Sequence, residues 1–210
     1  MKMKKFVALA LAAVMAVSAL AGCGGGGSGV SGSVSTSQVN NLLEDVGSDI
    51  TVSSDSTLNN AVRNAAREIV STGSISSFDR SVRNSMGWTA QSIASSILDQ
   101  ILGGLGIVGP SVTFGLTSVV EENQLKTNTG AGGLASYIGA NSSKVTAMAP
   151  INTPEKYAAT LVLAVDGTLG LLSDITDNHI RMTYNVSGTK ATAPDGTVYW
   201  VFAAQIKMAS

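Results

Sequence analysis

The last thirty residues of the chain alternate between apolar and polar side chains on two arms. In residues 180–187, the apolar positions are Ile180, Met182, Tyr184 and Val186. In residues 198–208 the even positions are apolar, and a loop with Pro194, Asp195 and Gly196 separates the arms. Because successive side chains of a strand point to opposite faces, this pattern predicts an antiparallel hairpin with one face buried. The second arm is apolar on both faces at its start, which indicates a central strand.

A helix is predicted from about Thr57 to Thr72. Its apolar residues recur at the i, i+3, i+4 and i+7 spacing of one helix face, and polar residues occupy the other side. Asp55 or Ser56 can cap the N-terminus, and Gly73 follows where a left-handed C-terminal residue is favoured.

The middle of the chain gives weaker signals. Isoleucines four residues apart predict a second helix over residues 90–102, and residues 78–88 before it are irregular or a short helix. Residues 112–120 are rich in strand formers and predict a buried strand. Residues 126–150 are rich in Gly, Ala, Ser and Asn, which predicts a loop with one short element near 134–138.

A later helix is predicted to begin at Thr153, Pro154 and Glu155, which supply a cap, a first-turn proline and an acid at the positive end of the helix dipole. Asp166 and Gly167 are predicted to stop it, and a strand over 159–165 is the competing interpretation. Helices first, then a strand, another helix and a hairpin predict an α+β domain with helices packed on an antiparallel sheet.

Residues 101–120 carry no charge and are long enough to span a bilayer as a helix. Five glycines and Pro110 fall within this run. That density also fits a buried turn followed by a buried strand, which we favour over a membrane span.

The start of the chain has the pattern of an export signal. Three lysines within the first five residues precede an apolar run from Phe6 to Ala21, and small residues lead up to Cys23. These residues resemble the bacterial lipoprotein signal with its lipobox. The resemblance implies cleavage after residue 22, a covalent diacylglycerol and fatty acid on Cys23, and a location at the extracytoplasmic face of a bacterial membrane.

The domain boundaries follow from this signal and from composition. Residues 1–22 are the predicted signal peptide, residues 23–40 are the lipidated cysteine and a flexible Gly/Ser-rich tether, and residues 41–210 form a single α+β domain. Such a tether reaches a few nanometres, so we expect partners near the membrane or in the adjacent wall.

Charge and cysteine content exclude several classes of protein. The leader holds three of the 13 Lys and Arg residues, against 14 Asp and Glu in the chain, so the remainder is mildly acidic. No basic stripe is present, and we expect no nucleic-acid partner. Cys23 is the single cysteine, so no intramolecular disulfide can form.

The one histidine lies in a polar cluster just before the hairpin. Asp174, Asp177 and His179 are weak candidates for a metal or acid–base site. The alternative, which we favour, is a polar turn, because Asp and Asn favour turn conformations. We expect no cofactor besides the lipid on Cys23.

Carboxylates offer a second route to catalysis, since paired carboxylates can hydrolyse glycosidic bonds. The candidates are Glu121, Glu122, Asp166, Asp174 and Asp195. Glu121 and Glu122 are adjacent, so in a strand they would point to opposite faces and could not pair with each other.

Four segments resemble the CAP superfamily, the SCP-like extracellular domain. They are its first helix in Leu58–Ile69, its Glu-Asn turn in Glu121-Glu122-Asn123, its later helix in Thr153-Pro154-Glu155 with an exit at Leu171-Leu172, and its closing strand in residues 196–201 followed by Phe202. The resemblance covers about residues 55–208 and implies an α-β-α sandwich.

Many members of that family carry a cleft with two histidines and two acids. Here Asn64 stands at the position of the first histidine, residues 166–172 contain none, and Glu122 alone matches a cleft acid. The resemblance therefore implies a version without the metal site, and favours binding of a glycan, a lipid, another ligand or a protein.

We expect a membrane-anchored lipoprotein with a non-catalytic role in binding or in envelope organisation. The alternative is a hydrolase acting on cell-wall polymer through Glu122 and His179. A third interpretation is a membrane-spanning protein that uses residues 101–120.

Overall fold

The computed structural model describes residues 29–88, 112–173 and 181–209. The predicted helix over 90–102 and the first half of the uncharged run at 101–120 lie outside these residues. The described helices and sheet confirm the predicted α+β class.

Three long antiparallel strands form most of the sheet. They are β3 (Val112–Glu121), β4 (Arg181–Thr192) and β5 (Val198–Ala209), and β5 lies between the other two. This confirms the hairpin and the central position of its second arm. Two short strands, β1 (Val30–Ser31) and β2 (Val52–Ser53), pair with the other edge of β4, β1 antiparallel and β2 parallel.

Helices connect most of the strands. In the described residues the α-helices are α1 (Thr36–Asp45), α2 (Ser56–Thr72), α3 (Phe78–Met86), α4 (Glu122–Lys126), α5 (Ala135–Ile138), α6 (Ser142–Met148) and α7 (Pro154–Ser173), with 3-10 turns at Gly130–Leu134 and Gly139–Asn141.

The sheet is covered by helices on both faces. One core contains residues of α1, α4–α7 and the sheet, and on β5 it holds Phe202, Ala204, Ile206 and Met208. The other core contains residues of α2 and α3, and on β5 it holds Val201 and Ala203. Successive side chains of β5 therefore enter two different apolar cores, which explains why this strand is apolar on both sides.

The helix α2 begins and ends where the sequence predicts. The carboxylate of Asp55 accepts a hydrogen bond from the backbone N of Leu58 at 2.8 Å, and Gly73 ends the helix with φ of 73°. Glycine adopts this left-handed conformation without a Cβ clash. The sequence predicted either an irregular segment or a short helix over residues 78–88, and the structure has the short helix α3 there.

The helix α7 begins as predicted but does not stop at residue 166. Thr153 accepts a hydrogen bond from Lys156 N through its side chain, at 3.3 Å, and the helix runs on to Ser173. The predicted stop and the competing strand over 159–165 were therefore wrong. Gly167 has a packing role instead, because a Cβ there would collide with the carbonyl oxygen of Ile138.

Residues 126–150 contain more regular structure than the loop predicted from their composition. The short element near 134–138 is confirmed as α5, but a 3-10 turn precedes it, and a second turn and α6 follow it. Leu134, Ile138 and Met148 anchor this segment in the core shared with α7. Tertiary packing has overridden weak local propensity here.

Residues 29–40 belong to the folded domain rather than to the predicted tether. Thr192 N donates to Gly29 O at 2.8 Å, β1 follows at once, and Val39 of α1 is fully buried. The small polar residues of this stretch had suggested a chain with little to bury.

The uncharged run at 101–120 ends in a strand, since its residues from 112 onward form β3. Phe114, Leu116 and Val120 of β3 are buried, as predicted for this segment. In the described part of the chain, no helix combines the length and the apolarity that crossing a bilayer requires.

Candidate functional site

A polar cleft of about 380 Å³ lies between α2 and the outer edge of β4. It occupies the gap between the two short strands, because β1 pairs with residues 190–191 and β2 with residues 184–185 of β4. Residues 186–189 line the cleft between these pairings. Val34 N donates to Gly188 O at 3.1 Å, so the chain between β1 and α1 forms the cleft's third side.

One face of α2 supplies amide and hydroxyl groups to the cleft. Ser56, Asn59, Asn60 and Arg63 line it, and their spacing of three or four residues places them side by side along the helix. The apolar residues of the same helix face the core, so the amphipathic pattern that forms α2 also directs this polar row outward.

The opposite wall comes from β4, whose Ser187 and Thr189 also line the cleft. Thr189 Oγ1 donates to the carbonyl oxygens of Ser31 at 3.2 Å and Gly32 at 2.9 Å. These bonds join β4 to the segment after β1, so the sheet and its hydrogen bonds fix the wall.

Arg63 gives the cleft its only charge among the described residues that line it. No ion pair or hydrogen bond joins its guanidinium to another described residue. Of the two acids nearest to it in sequence, Glu68 accepts a hydrogen bond from Ser81 Oγ at 3.0 Å, and Asp55 is bound to Lys207 at 2.6 Å. The cleft therefore offers hydroxyls, amides and one available cation, which suits a polar ligand that carries negative charge.

Glu122, a weak catalytic candidate from the sequence, is held between two lysines. Its carboxylate lies 3.0 Å from Lys126 Nζ and 3.2 Å from Lys190 Nζ. The bond from Lys126, and then that from Lys190, outweigh partial burial and lower the pKa of Glu122. A carboxylate in this state stays ionised near neutral pH and is poorly suited to act as a general acid.

Asp166, another of the carboxylates considered, bridges α7 and the hairpin. It accepts hydrogen bonds from Tyr184 Oη at 2.6 Å and from Asn141 Nδ2 at 2.9 Å. Burial, followed by the bond to Asp166, raises the pKa of Tyr184 well above its ordinary value. The phenol therefore stays protonated, and this cluster works as a structural link.

Of the two remaining carboxylates, Glu121 ends β3 and Asp195 accepts from Thr197 N at 2.9 Å in the β4–β5 turn. Four further candidates lie outside the described residues: Cys23, Asp174, Asp177 and His179. The described segments hold no group of three or more His, Cys, Asp and Glu side chains that could bind a metal ion.

Asn64 and Glu122, the two positions that the resemblance to the CAP superfamily would assign to a cleft, lie on opposite sides of the sheet. Asn64 is on the exposed side of α2 and accepts from Arg67 at 2.6 Å. Glu122 is bound to Lys190, which alternates with Ala191 along β4 and so points away from the core beneath α2. The structure does not bring these two residues together.

The cleft could not be identified from the sequence alone. Polar residues at Asn59, Asn60 and Arg63 are typical of any solvent-exposed helix face. Their partners on β4 are more than 120 residues away in the chain, and no local pattern links the two segments.

Comparison with family models, with curated proteins and with solved structures gave no significant match to this chain.

Proposed function

We propose that this protein is a lipid-anchored extracytoplasmic lipoprotein with a binding role, and that the cleft between α2 and β4 holds its ligand. Acyl chains on Cys23 would supply the anchor, since each buried methylene contributes about 0.8 kcal/mol. The ligand class that fits the cleft is an anionic, hydroxyl-rich one, such as a segment of cell-wall polymer.

The single observation that carries the binding role is the available guanidinium of Arg63 in a cleft without a described carboxylate. The charge of an isolated surface cation would be screened by solvent. Arg63 instead lies in a row of donors on α2 that face a wall of β4, and hydrogen bonds hold that wall in place. Such a preorganised set of donors lowers the ordering cost of binding.

The alternative function, a cell-wall hydrolase of a divergent CAP-like domain, is less well supported. It needs Glu122 as a proton donor or base beside His179. The lowered pKa and the two lysine partners of Glu122 argue against the first role, and both of its carboxylate oxygens are already occupied.

The anchor is tested by growing cells that express the full chain with a labelled fatty acid. We expect label in the protein and none in the Cys23→Ser variant, which should also leave the membrane fraction. Label that persists in the variant, or its absence from the parent, would contradict the anchor.

The binding role is tested with the full-length Cys23→Ser chain and soluble peptidoglycan fragments as the probe. Loss of a charge-assisted bond costs about 1.5–3 kcal/mol, so Arg63→Ala should weaken binding about tenfold or more. Arg67→Ala is the matched control, because Arg67 lies one turn further along α2, outside the cleft. Equal losses in the two variants, or none in either, would count against the cleft.

A further inference from the structure

The chain enters the folded domain at one end of the sheet. Gly29 O accepts from Thr192 N at 2.8 Å, and a Cβ on Gly29 would lie 3.4 Å from Val70 Cγ1 near the end of α2. The strand β1 then runs antiparallel to β4, away from the β4–β5 turn at 193–197. We call this end of the domain, with the turn and residues 72–77 at the end of α2 and after it, the turn end.

The distance from Cys23 to the turn end is limited by covalent geometry. Residues 24–28 separate Cys23 from Gly29, and six Cα–Cα steps span at most about 22 Å. The strand β4 extends about 35 Å from the turn end to Arg181. Gly29, at the turn end, therefore stays within about 22 Å of Cys23 in every orientation, whereas the opposite end is free to lie much further away.

The turn end also carries an exposed apolar side chain. The residues after α2 lie against the β4–β5 turn, since Thr72, Gly73, Ser74, Pro194 and Asp195 share one surface depression. Ile75 in this segment is 42% exposed, and the other large apolar side chain with comparable exposure among the described residues is Tyr137.

From this geometry we infer that the turn end faces the lipid bilayer and that Ile75 contacts it. The inference rests on the proposed lipidation of Cys23. It assigns the bilayer surface as the partner of residues 72–77 and 193–197, and it directs the opposite end of the sheet, with Thr51 and Arg181, away from the membrane. The cleft, along the middle of β4, then opens sideways above the headgroups.

The single cysteine makes this orientation measurable. Once Cys23 is a thioether, an engineered cysteine is the only free thiol, so a dye can be placed at one site in the full lipidated chain. Ser76→Cys labels the turn end and Thr51→Cys labels the opposite end, and both positions are exposed. The labelled chains are reconstituted into phosphatidylglycerol–phosphatidylcholine vesicles that contain a quencher attached to lipid headgroups.

We expect the dye at residue 76 to lose a larger fraction of its fluorescence than the dye at residue 51, and Ile75→Asp to reduce the loss at residue 76. Equal quenching at the two sites, or stronger quenching at residue 51, would overturn the orientation while leaving the anchor intact. A parent chain whose Cys23 takes up dye would overturn the anchor, and the orientation with it.

Discussion

The carboxylate of Asp55 joins the N-terminus of α2 to the central strand of the sheet, where it meets Lys207. Its Oδ1 accepts from Leu58 N at 2.8 Å, and its Oδ2 accepts from Lys207 Nζ at 2.6 Å. One side chain therefore caps a helix and pairs with β5. Because α2 forms one wall of the cleft, this residue also determines where that wall begins.

Asp55→Ala should lower the free energy of unfolding by about 1–2 kcal/mol, since it removes a helix cap. Asp55→Asn should cost less, because asparagine caps a helix nearly as well and an ion pair with a partly exposed lysine contributes only about 0–1 kcal/mol. Urea unfolding measures both. Asp49→Ala, at an exposed position, is the control, and an Asn variant as unstable as the Ala variant would assign the main role to the charge.

The stability difference between the parent and Asp55→Asn should depend on pH. Burial alone would raise the pKa of Asp55, but the bonds from Lys207 and from Leu58 N lower it below its ordinary value of 3.8. A lowered pKa stabilises the fold fully above the ordinary value, and this contribution is lost as pH falls towards the pKa of the folded state.

Unfolding measured from about pH 7 down to about pH 2 should therefore show a constant difference near neutrality that closes in acid. A difference that widens as the pH falls would have the wrong sign for this ion pair.

Gln205→Leu should be among the most destabilising substitutions in the sheet. Gln205 is 1% exposed, accepts from Trp88 Nε1 at 3.3 Å and donates to Asn185 Oδ1 at 3.1 Å. Each buried group left without a partner costs about 1–3 kcal/mol, so we expect a loss of about 2–4 kcal/mol in urea unfolding. Gln38→Leu on the exposed side of α1 should change little, and similar effects at both sites would refute a buried polar network.

Gly167→Ala should destabilise the protein although alanine favours helices by about 1 kcal/mol over glycine. The added Cβ would collide with Ile138 O, and overpacking of this kind costs about 1–3 kcal/mol. Gly132→Ala is the matched control, because a Cβ there would meet nothing within 4 Å. Thermal unfolding compares the two, and a higher melting temperature for Gly167→Ala would show that α5 can move aside.

The hairpin and α2 could be predicted because their signals are local. The alternation along β4 and β5, the capping Asp55 and the left-handed Gly73 all act within a few residues of the structure they specify. The covering of both sheet faces could be predicted only in part. The apolar pattern identified β5 as central, but the polar positions of β4 had suggested a face exposed to solvent.

That second face is buried because distant residues satisfy its polar groups. Asn185 is 3% exposed and donates to Ser53 on β2, 132 residues earlier in the chain. Pairings of this kind leave no periodic signal. The same limit applies to Gly167. Glycine is typical of a helix end, but the packing role of this residue depends on its contact with α5, which no local pattern reveals.

The two shortest strands have a consequence for association between copies of the chain. A twelve-residue strand such as β4 presents unpaired N–H and C=O groups along a free side, and such a side is a template for strand addition by another molecule. β1 and β2 occupy the two ends of that side, and the bond from Val34 N to Gly188 O blocks the stretch between them. Proteolytic removal of the residues before α1 would therefore expose a ready acceptor for a foreign strand, so the segment that contains β1 also protects the sheet against aggregation.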